Sequence, residues 1–463
     1  MKKKFLNYLV ISSVMVSGSI FFTACDDKSE PDPEPTPTSN EVIINSDITG
    51  TRNLVNDSIY VLEGQVNVSG IINIEKGTII KGDKLTKGCL VVLRGGKINA
   101  IGTSAEPIVF TSRMEPGLRN AGDWGGIIIV GNAPVNQSNP SVEGLTREVT
   151  YGGGNNPADN SGSLRYVRIE FAGIALQPDK EINGLTLCAV GSGTTIDHVQ
   201  VSYSGDDSFE WFGGTVNAKN LIAYCGLDDE FDTDYGYSGH VQFVLGVRNP
   251  RVADVSASNG FESDNDGSGT TATPQTAPVF SNVTLIGPFK TTGDKNVNSM
   301  FGAGMHIRRN SSLSVFNSVF AGWNTAGLLL DGTTTYANAT AGNLVIQNCI
   351  LSGTKGTAVN GAGGVTADQA LTFFNSGNNQ IIADNATTGI ANSFYDATKT
   401  GAEAAPTSFL PAAGSPLLSG ALFTSAKLAD NFFDKTPTYK GAFGTTDWTK
   451  EQWTNFDPQN TVY

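Results

Sequence analysis

Charge is scarce in this chain, and helical periodicity is missing. Only 16% of its 463 residues are Asp, Glu, Lys or Arg. Leu, Ala, Glu and Lys never recur at helical spacing over several turns, which excludes a helical bundle or helical-repeat array. Cysteine occurs five times, never as C-x-x-C. Cys89, Cys188, Cys225 and Cys349 each stand alone within an apolar, strand-like run, so they read as buried free thiols rather than a zinc site or disulfide framework. Histidine occurs only as His198, His240 and His306. There is no Ser-His-Asp set, phosphate loop, dinucleotide fingerprint or basic stripe, and a formal charge of −14 sets the chain against nucleic acid. After residue 24 no apolar run is long enough to span a membrane.

What is present is the composition of short strands and tight turns. There are 54 glycines, with abundant Val, Ile, Thr, Asn and Ser. Between residues 41 and 123, alternating strand-like phrases such as Ile71-Ile72-Asn73-Ile74 are separated by Gly-containing turns and never by a helix-length segment. The expected fold is therefore all-β: a right-handed parallel β-helix, a solenoid with loop insertions and a C-terminal cap. The polar stretch 132–163 is an excursion that should shape a binding surface. Asn282, Asn317 and Asn348 open similar strand phrases and are expected to stack as a hydrogen-bonded ladder. Aromatic residues return after Phe409, as expected of a cap that protects the solenoid from edge pairing. The expected boundaries are 41–404 for the β-helix and 405–463 for the terminal coil and cap.

One acidic phrase organises the middle of the chain. Ser204-Gly205-Asp206-Asp207-Ser208-Phe209-Glu210 returns as Gly226-Leu227-Asp228-Asp229-Glu230-Phe231-Asp232, and more loosely as Ser258-Asn259-Gly260-Phe261-Glu262. With Phe209, Phe231 and Phe261 pointing into successive coils, strand alternation turns Glu210, Asp232 and Glu262 outward, one above another at about 4.8 Å. Asp206 over Asp228 and Asp207 over Asp229 add further rungs. Such stacked carboxylates need proton uptake, basic partners or a cation. Calcium, which takes six to eight hard oxygen ligands, suits the composition. Its expected ligands are Asp206, Asp207, Glu210, Asp228, Asp229, Asp232, Asp234, Glu262 and Asp264. The alternatives are neutralisation by Arg248, Arg251, Lys219 or Arg308, or a merely solvated acidic face. Neither an EF-hand loop nor the nonapeptide calcium repeat is present. Trp211, Tyr235 and Tyr237 border the acids as candidate sugar-stacking residues, while His306 and Arg308 could read an anionic group; the alternative for these is packing in the solenoid wall.

The amino terminus begins Met-Lys-Lys-Lys, continues with an apolar run from Phe5 to Phe22, and reaches Thr23-Ala24-Cys25. This resembles a bacterial lipoprotein signal, which implies removal of residues 1–24 and lipidation of Cys25. An uncleaved anchor is the alternative. Residues 25–40 form an acidic, Pro-rich tether, with Pro at 31, 33, 35 and 37, suited to an extended spacer. Acidic residues behind the Cys resemble the surface-export signal of Bacteroidota-type lipoproteins.

The phrase Gly95-Gly96-Lys97-Ile98-Asn99-Ala100-Ile101-Gly102-Thr103 is similar to those of β-helix proteins. Together with the Trp124 glycine phrase, the 204–266 block, Gly304-Met305-His306-Ile307-Arg308-Arg309-Asn310 and the ending 439–453, it makes the chain resemble Bacteroidota surface lipoproteins with a pectate-lyase-like β-helix. The resemblance implies fold and location: an outer-membrane protein held by its lipid and facing the exterior. Ser204-Gly205-Asp206-Asp207 also resembles the paired-aspartate motif of polygalacturonases, and Ser238-Gly239-His240 their Gly-His-Gly motif. However, no Asn-Thr-Asp precedes the pair, Val241 stands where that motif has Gly, and no Arg-Ile-Lys follows. The expected function is non-catalytic binding of an extended ligand such as glycan along a calcium-assisted acidic face. Catalytic residues are not assigned. The alternatives are a lyase or hydrolase acting on acidic polysaccharide, and a structural surface protein or partner of an outer-membrane receptor.

Overall fold

The computed structural model describes residues 40–177 and 180–463. The signal sequence, Cys25 and nearly all of the tether lie outside the described residues. The chain winds into a parallel β-helix whose coils contribute strands to two parallel assemblies, one of ten strands and one of seventeen. The ten-stranded sheet runs without a break in order from Gln65–Val68 to Thr357–Ala362. In the larger assembly, five long strands bend in the middle: Gly162–Glu170, Thr195–Ser202, Asn217–Tyr224, His240–Val247 and Val279–Ile286. Each bend is a single residue in the left-handed region: Tyr166, His198, Asn220, Phe243 and Asn282, with φ between 50° and 62°. That conformation costs a non-glycine residue about 1–2 kcal/mol. Stacking of the Tyr166 and His198 rings, 4.4 Å apart, offsets some of it at one corner.

The core is the inside of the coil. Phe209, Phe231 and Phe261 are fully buried and pair in register, with ring centroids 5.3 and 5.7 Å apart. Burying each ring contributes about 2–3 kcal/mol. The next inward column, Trp211, Thr233 and Ser263, turns polar, and its hydroxyls satisfy one another: Thr233 Oγ1 is 2.7 Å from Ser263 Oγ, itself 2.6 Å from Ser311 Oγ. Trp124 is fully buried and fits only because Gly82 lacks a side chain; a Cβ there would lie 2.4 Å from the Trp124 side chain. The four cysteines at 89, 188, 225 and 349 are buried free thiols, as expected.

Two expectations change. Asn282, Asn317 and Asn348 occupy the same left-handed corner of successive coils, but they do not bond to one another. Asn282 Nδ2 donates to the carbonyls of Tyr439 and Gly441, and Asn317 exchanges two hydrogen bonds with Leu422. An asparagine ladder does form elsewhere, where Asn99 donates to Asn73 and Asn73 to Asn53, each at 2.9 Å. The aromatic C-terminal segment covers solenoid surface, as its composition implies, and does so along the flank. Gln242 exchanges two hydrogen bonds with the backbone of Asp434, and Gln200 two with Asn455, so side-chain amides take the part of a neighbouring strand. At the far end of this strap the Tyr463 hydroxyl binds both oxygens of Glu170 at 2.7 and 2.8 Å. Helix Ala367–Ser376, with a capping box between Thr366 and Gln369, buries Ala370 and Phe374 against the last coils.

Candidate functional site

The repeated phrase builds a cleft on the outer face of the ten-stranded sheet. Register places Glu210 beside Asp232, Asp232 beside Glu262 and Glu262 beside His306 on adjacent strands, so the outward column forms as expected. Two positions before each of the paired Phe residues lies a second column, Asp207, Asp229 and Asn259, bound through the backbone. The amide of Asp229 donates to Asp207 Oδ1 at 2.8 Å, that of Asn259 to Asp229 Oδ1, and that of Ala303 to Asn259 Oδ1 at 2.8 Å. Each carboxylate is thus locked by the next coil. A cavity of about 230 Å³ opens between the columns, walled on one side by Val142 and Glu143 of the expected excursion and on the other by Ser256 and Ala257.

Carboxylate oxygens converge there in three sets: Asp206, Asp207 and Asp228; Asp207, Glu210 and Asp232; Asp229, Asp232 and Glu262. Within each set one oxygen per residue lies within 4.8 Å of the others. Burial, reinforced by neighbouring carboxylates, pushes Asp207, Glu210, Asp229 and Asp232 well above the usual carboxylate range. Burial likewise raises Glu262, to about 7, although Arg308 pulls against it. Asp228 Oδ1 and Asp232 Oδ1 are fully buried and accept no hydrogen bond. Buried oxygens of this kind ordinarily have a partner, and clustered carboxylate oxygens are the hard donors that a divalent cation takes.

The basic residues considered as neutralising partners are mostly engaged elsewhere. Arg248 is fully buried, pairs with Glu230 at 3.0 Å, donates to the Leu227 carbonyl at 3.0 Å and lies 5.1 Å from the Phe301 ring. Lys219 sits 4.6 Å over Phe432. Arg251 lines a different groove. Arg248 also donates to the Asp228 carbonyl and tempers the rise at Asp228 and Asp229. Of these four bases, however, it is Arg308 that bonds carboxylates of the expected set, at one end, where it meets Glu262 and grips Asp264 through Nε at 2.8 Å and Nη2 at 3.1 Å. Arg309 adds a 2.6 Å contact to Asp264, so Asp264 is held by two guanidinium groups and leaves the ligand set. Asp234 accepts from the Tyr235 amide at 2.6 Å and belongs to none of the three oxygen sets.

The aromatic candidates divide. Trp211 and Tyr237 are fully buried, their rings stacked 5.3 Å apart in the core, and the Tyr237 hydroxyl donates to the Val216 carbonyl. They are withdrawn as ligand contacts: Trp211 shares the inward parity of Phe209, and Tyr237 turns inward beyond its strand. Tyr235 is partly exposed and packs 5.5 Å from Phe212, the ring that lines the cavity. His306 lies at the edge, with Nε2 3.2 Å from Asp331 and Nδ1 3.7 Å from Glu262. Burial, with Arg308 beside it, lowers its pKa from the ordinary histidine value, against the pull of Asp331. His240, the counterpart of the Gly-His-Gly histidine, begins a strand of the other assembly and packs on Phe432 and Phe433. It is nowhere in the acidic cavity lining. Asn183 and Glu143 were not singled out from sequence. Asn183 donates to Glu210 and stands two positions before the Leu185 strand, as Asp207 does before the Phe209 strand. Its signal was there, in a coil that lacks the acids. Glu143 is carried by the excursion and had none.

Among the described residues no helix is long and apolar enough to cross a membrane. No curated protein and no solved structure matches the chain. The family model of the pectate-lyase-like β-helix domain matches residues 45–400, which covers all three acidic coils, and the chain belongs to that family.

Proposed function

We propose that this is a surface-exposed, lipid-anchored binding protein of the outer membrane that holds an extended ligand, glycan in character, in the acidic cleft with the help of calcium. The observation that carries the reading is the convergence of carboxylates from three successive coils on one cavity, two of their buried oxygens without a hydrogen-bond partner. The same sheet face continues along the solenoid, which suits a long ligand better than a compact one. Bound calcium would neutralise the acids and present open coordination positions to ligand hydroxyls or carboxylates. Lipidation of Cys25 and the acidic tether rest on the sequence alone.

The test is calorimetric titration of calcium into chelator-treated protein, followed by glycan-array binding with calcium or with chelator. Calcium uptake together with calcium-dependent glycan capture supports the reading. Absence of calcium uptake removes the ion. The anchor is tested separately by palmitate labelling of the wild type and Cys25→Ser, with loss of label expected in the variant.

A second reading, hydrolysis or elimination on an acidic polysaccharide, is favoured by one observation: Glu262, raised to about 7 beside Arg308, is poised near neutrality as a proton-transfer group must be. Release of reducing ends or unsaturated products from uronic-acid polymers, lost in Glu262→Gln, decides for it.

A further inference from the structure

A second groove, distinct in lining from the acidic cavity, gathers three cations, Arg251, Lys290 and Lys295, beside two carboxylates, Asp294 and Asp396. Its volume is about 310 Å³, and its walls come from three parts of the chain: Arg251 after strand His240–Val247, Lys290 and Lys295 after strand Val279–Ile286, and Tyr395 from the C-terminal part. The first two walls are fastened together, since Asn298 donates its amide to the Pro250 carbonyl at 2.8 Å and its side chain to the Ala253 carbonyl at 3.4 Å. The groove is thus a built feature of two cross-bonded loops.

Arg251, Lys290 and Lys295 make no ion pair within 4.0 Å of a carboxylate among the described residues. In a chain with formal charge −14, three cations gather around one depression without a direct ion pair, Lys290 acting on Asp396 only at longer range. The two acids in the lining are occupied locally. Asp294 accepts from the amide and hydroxyl of Thr291 at 3.0 and 2.6 Å. Asp396 accepts from the amide and hydroxyl of Thr398 at 3.0 and 2.6 Å. Two rings line the groove, Phe394 and Tyr395; Phe394 is buried, while Tyr395 is partly exposed and braced 6.2 Å from the buried Tyr224. A partly exposed ring fixed from behind and flanked by cations is suited to a sugar face that carries negative substituents.

We infer that this groove is a calcium-independent subsite for an anionic saccharide, its carboxylate or sulfate groups held by Arg251, Lys290 and Lys295 and its ring laid on Tyr395. The subsite does not depend on the acidic cleft, and binding here needs no metal.

Calorimetry in excess chelator separates the two sites. The probes are oligogalacturonate, a sulfated dextran oligosaccharide and neutral dextran oligosaccharide, tested on the full-length mature protein and on the triple variant Arg251→Gln, Lys290→Gln, Lys295→Gln. These side chains are exposed, so the variant is expected to melt with the wild type. Binding of at least one anionic probe, weakened about tenfold or more in the triple variant and by added salt, is the expected result. Which anionic probe binds tells carboxylate from sulfate. Tyr395→Ala should weaken the saccharide while leaving inorganic sulfate unchanged. Failure of both anionic probes to bind in chelator, equal binding of neutral dextran, or full affinity in the triple variant overturns the inference. Loss of calcium uptake at the acidic cleft has no bearing on this outcome.

Discussion

Asp232→Asn separates a cation site from a merely acidic face. Asp232 contributes to two of the three oxygen sets, and its Oδ1 has no hydrogen-bond partner. Like charges within 4.8 Å repel by about 0.9 kcal/mol in bulk water and about 3.5 kcal/mol at an effective dielectric near 20. The cleft lies between these limits, and shared protons relieve part of the repulsion. Removing the Asp232 charge should therefore stabilise the metal-free protein by about 1–3 kcal/mol. For a chain of this length that is about 1 °C in melting temperature per kcal/mol, so denaturant midpoints are the more sensitive readout. With calcium present this advantage is offset. An ion at a hundredfold excess over its dissociation constant stabilises the wild type by about 2.7 kcal/mol, and a variant lacking a ligand common to two sets should lose most of that gain. The assay is urea unfolding at pH 8 in chelator and in millimolar calcium for both proteins. A variant less stable than the wild type in chelator would mean that Asp232 makes a net favourable contact. An equal calcium gain in both would mean that the ion does not use it.

The pH dependence has a definite sign. Asp207, Glu210, Asp229, Asp232 and Glu262 all have folded-state pKa values raised by burial. Their contribution is fully present below the unfolded values near about 4 and is lost as pH rises through the folded ones, with Glu262 near 7. Metal-free protein should thus be more stable at pH 5 than at pH 8, with calcium flattening the slope; a chelated protein that gains stability from pH 5 to 8 contradicts this. Arg248→Ala strands the buried Glu230 carboxylate and should cost about 3–5 kcal/mol, measured by urea unfolding. Gln242→Ala removes both bonds to Asp434 at about 1–3 kcal/mol, and limited proteolysis should then cut the C-terminal strap faster while the coils resist. Trp211→Ala should cost about 3–5 kcal/mol as a core cavity, with calcium affinity in the surviving folded fraction unchanged.

The sequence by itself determined the coil and the acidic column. A repeat of Phe followed by an acid, spaced by whole coils, leaves one arrangement that buries every ring, and strand alternation then forces Glu210, Asp232 and Glu262 outward. Parity alone also speaks against Trp211, because it lies two residues from the inward Phe209; its nearness to acids in the sequence had masked that. Tertiary structure decided what neutralises what. Arg248 and Arg308 have the same chemistry in sequence, yet one is sealed against Glu230 and the other meets Glu262, because Arg248 follows a strand of the seventeen-stranded assembly and Arg308 a strand of the ten-stranded sheet. It also decided the fate of Asn282 and Asn317. Their left-handed corner aims each amide at the flank, and a C-terminal segment more than a hundred residues away in the chain supplies the backbone groups they bind. Local pattern sets which side a residue faces. Contacts between distant segments depend on where loops of unequal length bring the chain back, and no spacing rule encodes that.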